Sequence, residues 1–159
     1  MQQKMHIEVT SRRDVLLGMS AATALALLAG QAYAQDAKGP ASAEEAIKLI
    51  LKDTKPTDAK IKLELPEIAE NGNTVPFGVS VDSAMTDADH IKAIHVISTG
   101  NPRPEIGSYY FNPLSGKASM ASRMRLAKTQ DIVAIAEASN GQAYMTKRTV
   151  KVTIGGCGG

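Results

Sequence analysis

The sequence of this 159-residue chain predicts an all-β protein, an antiparallel β-sandwich preceded by one short helix. Segments between residues 61 and 154 are apolar or alternate apolar with polar residues, which is typical of strands. Gly, Pro and Asn residues separate them, as expected of turns between antiparallel strands. A third observation is the ending Gly-Gly-Cys-Gly-Gly, which predicts a flexible arm beyond the last strand.

Composition and charge limit the class of protein. Hydrophobic residues make up 43% of the chain, which suits one compact domain. The formal net charge of +2 is too small to indicate nucleic acid or an anionic membrane as the partner.

The first 34 residues have the three parts of an export signal. Arg12 and Arg13 precede the uncharged apolar run 16–30, and Ala32 and Ala34 supply the small residues that a signal peptidase reads. Paired arginines are typical of the Tat route, which exports folded proteins. The alternative is an uncleaved membrane anchor, which the short Ala- and Gly-rich run disfavours. We therefore expect a periplasmic protein, cleaved after Ala34 and without a membrane anchor.

A helix is predicted over residues 43–52. Ser42 is a suitable N-cap, and Glu45 follows three residues later, as in a capping box. The apolar residues of this segment recur on one helical face. Lys55-Pro56 is expected to end the helix.

Seven strands are predicted after the helix. They cover residues 61–65, 75–81, 91–97, 107–112, 120–126, 131–138 and 144–154. The segment 131–138 is almost continuously apolar, which predicts burial on both faces. Arg123 and Arg125 fall on one strand face, where they would meet an acidic partner or, as we favour, remain solvated.

The chain ends in a lone thiol within a glycine cluster. Cys157 is the only cysteine, and the glycines of the arm are Gly155, Gly156, Gly158 and Gly159. Such an arm is thin, and its cysteine can lie up to roughly 10 Å from Ile154. No histidine or acidic side chain flanks Cys157 to activate it, so the thiol suits covalent attachment better than catalysis.

A lone cysteine in an exported protein indicates intermolecular chemistry or a working thiol. One interpretation is a covalent carrier. The alternative is a periplasmic thiol redox protein or sensor, and a disulfide-linked homodimer through Cys157 is compatible with either. A loose terminus without a role is also open.

The export signal, the short helix, the predicted sandwich and the terminal Gly-Gly-Cys-Gly-Gly together resemble the SoxY family, the sulfur carriers of the thiosulfate-oxidising Sox system. Residues 65–72 and the following Val75-Pro76 look like the first hairpin of that family. The resemblance implies an immunoglobulin-like fold and a carrier rather than an enzyme. It also implies that Cys157 holds the sulfur intermediates covalently, without a tightly bound cofactor.

The resemblance further implies a set of partners. A SoxZ subunit of similar fold would form a heterodimer with the chain, and the c-type cytochrome SoxAX would join thiosulfate oxidatively to the thiol. The hydrolase SoxB would release sulfate, and the molybdenum-haem dehydrogenase SoxCD, where present, would oxidise the remaining sulfane.

Two groups of residues receive no chemical role from the sequence. His90 and His95 are expected to be surface or strand residues. The methionines lack the His and Cys spacing of a copper site, so core packing is expected of them and no metal is predicted. These methionines are Met85, Met120, Met124 and Met145.

Overall fold

The computed structural model describes residues 39–156. The predicted export signal, with Arg12, Arg13, Ala32 and Ala34, lies outside this range, as do Cys157, Gly158 and Gly159. Within residues 39–156 no helix has the length and hydropathy needed to cross a membrane.

Helix α1 spans Ala43–Leu51 and begins as predicted. The Glu45 N–H donates to Ser42 Oγ at 3.1 Å. The Glu45 carboxylate accepts from the N–H of Ala41 at 2.9 Å, one residue earlier than in a reciprocal capping box. The helix ends before the predicted stop at Pro56, because Lys52 adopts a φ of 52° and turns the chain away.

Eight strands follow the helix and form two sheets. They are β1 (Ile61–Glu64), β2 (Ile68–Asn71), β3 (Val75–Val81), β4 (Ile91–Ser98), β5 (Glu105–Tyr110), β6 (Ala118–Met124), β7 (Gln130–Ala138) and β8 (Ala143–Ile154). One sheet has the order β1-β3-β6, and the other has the order β2-β8-β7-β4-β5. The predicted sandwich is confirmed, and the pairing of β2 with β8 is its one parallel pair among the named strands.

Strand β2 was not predicted, and it alters the expected first hairpin. Strands β1 and β3 do pair antiparallel, but β2 lies between them in the chain and joins the opposite sheet. The turn at residues 71–73 therefore carries the chain from one sheet to the other. The signal was weak because β2 buries only Ala69 of its four residues.

The main core lies between the sheets, and β7 contributes to both of its sides. Ile132, Ala134 and Ala136 pack into the inter-sheet core. Val133 and Ile135 face the other way and pack with Ala46 and its neighbours on α1. The prediction that this strand is buried on both faces is confirmed, and the helix is the reason.

Asp131, at the start of β7, gives the fold a pH-dependent contact. The Thr149 hydroxyl donates to Asp131 Oδ1 at 2.6 Å, and Lys147 Nζ lies 3.2 Å from Oδ2. The Thr149 hydrogen bond first, and then Lys147, lower the pKa of Asp131 below its ordinary value of 3.8. A carboxylate of lowered pKa stabilises the fold above its ordinary pKa, and this contribution is lost as pH falls through the folded-state pKa.

Replacing Thr149 with valine is expected to raise the pKa of Asp131 toward 3.8, because the largest cause of the shift is removed. NMR titration of the carboxyl group would measure it. Thr153→Val changes another exposed threonine of β8 and should leave that pKa in place. An unchanged Asp131 pKa in Thr149→Val would contradict the assignment.

Candidate functional site

The carboxyl end of β8 is tied to two other segments by backbone hydrogen bonds. The Gly72 N–H donates to the Ile154 carbonyl at 2.7 Å, and the Leu126 N–H donates to the Gly72 carbonyl at 2.8 Å. The Gly156 N–H donates to the Leu126 carbonyl at 2.9 Å. We call these four residues the arm anchor, because they hold the chain immediately before Cys157.

Three glycines of this region lie too close to backbone for any side chain. A Cβ on Gly72 would overlap the Leu126 carbonyl oxygen and lie 2.7 Å from the Gly156 nitrogen. A Cβ on Gly155 would overlap the Ala127 carbonyl oxygen, and one on Gly156 would lie 2.8 Å from the Gly72 carbonyl oxygen. These glycines are therefore needed for close approach of the backbones as well as for flexibility.

The arm was expected to be free of the sandwich from Gly155 onward, and here the structure differs. Gly156 is buried and hydrogen-bonded, and Gly155 lies against Ala127. With the anchor closed, the reach of Cys157 is counted from Gly156, whose Cα is about 3.8 Å away across one peptide unit. The longer reach from Ile154 requires the anchor to open. Mobility of the last three residues stays a prediction.

Asn101 supports the segment on which the arm rests. Its side-chain amide donates to the Arg125 carbonyl at 2.8 Å, and its Oδ1 accepts from the Ala127 N–H at 3.0 Å. The same Oδ1 accepts from Nε2 of the buried Gln130 at 2.8 Å. One side chain thus fixes residues 125–127 against the start of β7.

Asn101→Ala is expected to lower the free energy of unfolding by about 1–3 kcal/mol, because it removes the side-chain partner of the Arg125 carbonyl and of the Ala127 N–H and one of the two acceptors of Gln130 Nε2. Urea denaturation would measure the loss. Asn73→Ala is the matched control, because the exposed side-chain amide of Asn73 donates a hydrogen bond to Asn71 Oδ1. Its free energy of unfolding is expected to change by no more than about 0.5 kcal/mol. Equal stability of the two variants would contradict this role.

His95 lies in a side-chain cluster that the sequence did not predict. The ring Nδ1 is 2.8 Å from Ser108 Oγ, and Nε2 is 3.2 Å from Glu137 Oε1. The order β7-β4-β5 brings the three together on the outer face of the larger sheet. Because the cluster bridges three adjacent strands, we assign it to strand pairing. His95 is thus a strand residue, as predicted.

The methionines are packing residues, as predicted. Met85 and Met124 are buried in the inter-sheet core, and Met120 packs against that core. Met145 packs beneath the helix. Among residues 39–156, no three His, Cys, Asp or Glu side chains lie together in an arrangement that could hold a metal ion.

The family model described as "Sulfur oxidation protein SoxY" matches residues 47–157. This chain belongs to the SoxY family. The match starts in α1 and ends at Cys157, so it includes the sandwich and the arm anchor as well as the cysteine.

Solved structures agree with the SoxY assignment. The sulfur carrier protein SoxY from Chlorobium limicola f thiosulfatophilum is 32% identical, with a TM-score of 0.58, over 70% of this chain and 96% of that chain. A superoxide reductase (neelaredoxin) from Ignicoccus hospitalis is 21% identical, with a TM-score of 0.53, over 58% of this chain and 80% of that chain. The second likeness shows a shared fold alone. The curated proteins gave no match.

Proposed function

We propose that this member of the SoxY family is a covalent carrier of sulfur intermediates in periplasmic thiosulfate oxidation. Cys157 would hold the intermediates and present them to partner enzymes. The observation that carries this proposal is the position of the only cysteine, directly after a glycine pair that the sandwich holds by backbone contacts.

The contacts of the glycine pair favour a carrier over an enzyme. Gly155 and Gly156 meet backbone atoms of Gly72, Asn73, Leu126 and Ala127. Such contacts position the end of the chain, but they offer no acid or base to the thiol. Activation would therefore come from a partner, into whose active site a chain without side chains on either side of Cys157 fits easily.

The chemistry that we propose for Cys157 has two steps, and a third where SoxCD is present. SoxAX, a c-type cytochrome, would accept two electrons as the thiol and thiosulfate join in a new S–S bond, with loss of one proton. SoxB would then add water to the terminal sulfur and release sulfate, leaving the sulfane sulfur on Cys157. SoxCD, where present, would oxidise that sulfane to a sulfonate with oxygen from three water molecules, and would accept the six electrons that are released.

Assembly and location are part of the same proposal. We propose a heterodimer with SoxZ, export of the folded pair by the Tat route, and function in the periplasm. The paired arginines Arg12 and Arg13 and the Ala32-Tyr33-Ala34 site support export. The sulfur adducts on Cys157 would be its only bound groups.

The test is the intact mass of the mature protein, purified without reductant from cells grown on thiosulfate. We expect additions that match sulfane and thiosulfonate groups, that map to the C-terminal peptide and that disappear on reduction. A bare thiol, or only a symmetric disulfide dimer, would contradict the proposal and favour a thiol redox protein.

A further inference from the structure

Three arginines line one cavity beside the segment that holds the arm. Arg103, in the loop before β5, Arg123 on β6 and Arg125 just after β6 surround a cavity of about 280 Å³. All three are exposed. The remaining lining residues are Asn101, Glu105, Ile106 and Met124.

The positive charge of this cluster is largely uncompensated. Among residues 39–156, none of the three guanidinium groups lies in an ion pair. Glu105 is the one acidic residue that lines the cavity, and it offsets a single charge of the three. Guanidinium groups present planar forks of donors that match oxyanions, so such a cavity suits an anion with several oxygens.

The arginine cluster and the arm anchor share parts of one structure. Arg125 directly precedes Leu126, whose carbonyl accepts the Gly156 N–H at 2.9 Å. Asn101 lines the cavity and also binds the Arg125 carbonyl at 2.8 Å. The last described residue before Cys157 is therefore hydrogen-bonded to the segment that carries Arg125.

A thiosulfate adduct lengthens the Cys157 side chain and gives it an anionic end. Each S–S bond is about 2 Å long and the two bonds meet at an angle, so they extend the Cys157 side chain by less than about 4 Å. The adduct ends in a sulfonate with three oxygens and one negative charge. After sulfate has been released, the sulfane that remains has no sulfonate to bind.

We propose that Arg103, Arg123 and Arg125 form an anion site that binds the sulfonate of the adduct on Cys157. This proposal rests on the proposed carrier function and adds to it a contact between the loaded arm and the arginines. The loaded arm binds the carrier's own surface through the sulfonate, and the arm is released from that contact when sulfate leaves.

The experiment compares two chemically made adducts of the reduced, mature protein. The Cys157 thiolate displaces thiosulfate from tetrathionate, which leaves the thiosulfonate adduct on the cysteine. With methyl methanethiosulfonate the thiolate displaces methanesulfinate and leaves a neutral methyl disulfide. NMR spectra of the isotope-labelled proteins report the Nε–H signals of Arg103, Arg123 and Arg125.

We expect the thiosulfonate adduct, and not the methyl disulfide, to shift these arginine signals. In the double variant Arg123→Gln/Arg125→Gln only the Arg103 signal remains to be observed. The thiosulfonate adduct should no longer shift it. The matched control Lys92→Gln/Lys117→Gln also removes two exposed cations, and in this control the adduct should still shift the Arg103 signal. Cys157→Ser cannot carry an adduct. Titration of this variant with free thiosulfate therefore shows whether the arginines bind an oxyanion that is not tethered.

Three results would overturn the proposal. The arginine signals stay in place in the thiosulfonate adduct, both adducts shift them equally, or free thiosulfate alone shifts them in Cys157→Ser. If the signals stay in place and the double variant also loses SoxZ binding, the cluster is instead a docking surface for an acidic protein. Because the adducts are made chemically, failure here is distinct from failure of the carrier function, which the intact mass tests.

Discussion

Replacement of Cys157 with serine is expected to abolish thiosulfate-dependent electron transfer in a reconstituted Sox system. Serine has nearly the same size, but its oxygen cannot form the S–S bond on which every proposed intermediate depends. Because Cys157 is the only cysteine, no other thiol of the chain can take its place. Turnover should fall to the level measured without this protein.

The same variant should be unaffected in folding and in partner binding. The last described contacts belong to Gly156 and use backbone atoms, which a substitution at residue 157 does not alter. Thermal unfolding and SoxZ binding should therefore match those of the unchanged protein. Retained turnover with thiosulfate would refute the carrier function, whereas lost turnover with lost SoxZ binding would leave the chemistry of Cys157 unsupported.

Periodic patterns predicted most of the sandwich. In β3 the alternation of apolar and polar residues became alternating burial, from Val75 to Val81. In β7 the continuous apolar run correctly predicted burial on both faces. Ser42 and Glu45 predicted the start of α1, because an N-cap acts within a few residues and needs no distant partner.

Contacts between distant segments could not be predicted in this way. The arm anchor joins Gly72, Leu126 and Gly156, which are far apart in sequence and come together only in the folded protein. In a sequence, a glycine needed for close approach looks the same as one that provides flexibility. Likewise, Arg123 and Arg125 were visible as a pair, but the loop before β5 had to bring Arg103 to them.

If the anchor opens, the arm has two working lengths. When it is closed, Cys157 lies one peptide unit from a buried glycine, and its chemistry remains near the surface of the carrier. When it opens, the full length from Ile154 becomes available, roughly 10 Å. Opening breaks the Gly156 hydrogen bond, whose net contribution is about 1 kcal/mol, so a partner can offset that cost by docking.

Gly72→Ala is expected to lower the free energy of unfolding by about 1–3 kcal/mol, because the new methyl group overlaps backbone atoms. Gly72 is buried and lies between β2 and β3, so neither neighbouring strand can move without loss of pairing. Denaturant unfolding would measure the change. Gly78→Ala is the matched control in β3: its Cβ would meet atoms no closer than 3.5 Å, and it should be neutral or stabilising by up to about 1 kcal/mol.

Gly155→Ala introduces a similar overlap at a place where the chain is able to yield. Its methyl group overlaps the Ala127 carbonyl, but only the last few residues need to move away. Global stability should therefore fall by no more than about 1 kcal/mol, the value of one hydrogen bond. Hydrogen exchange of the Gly156 amide should accelerate about fivefold, because the loss of about 1 kcal/mol raises the population of the open form by that factor. If Gly72→Ala is as stable as Gly78→Ala, and Gly156 exchange is unchanged in Gly155→Ala, the anchor does not hold the arm in solution.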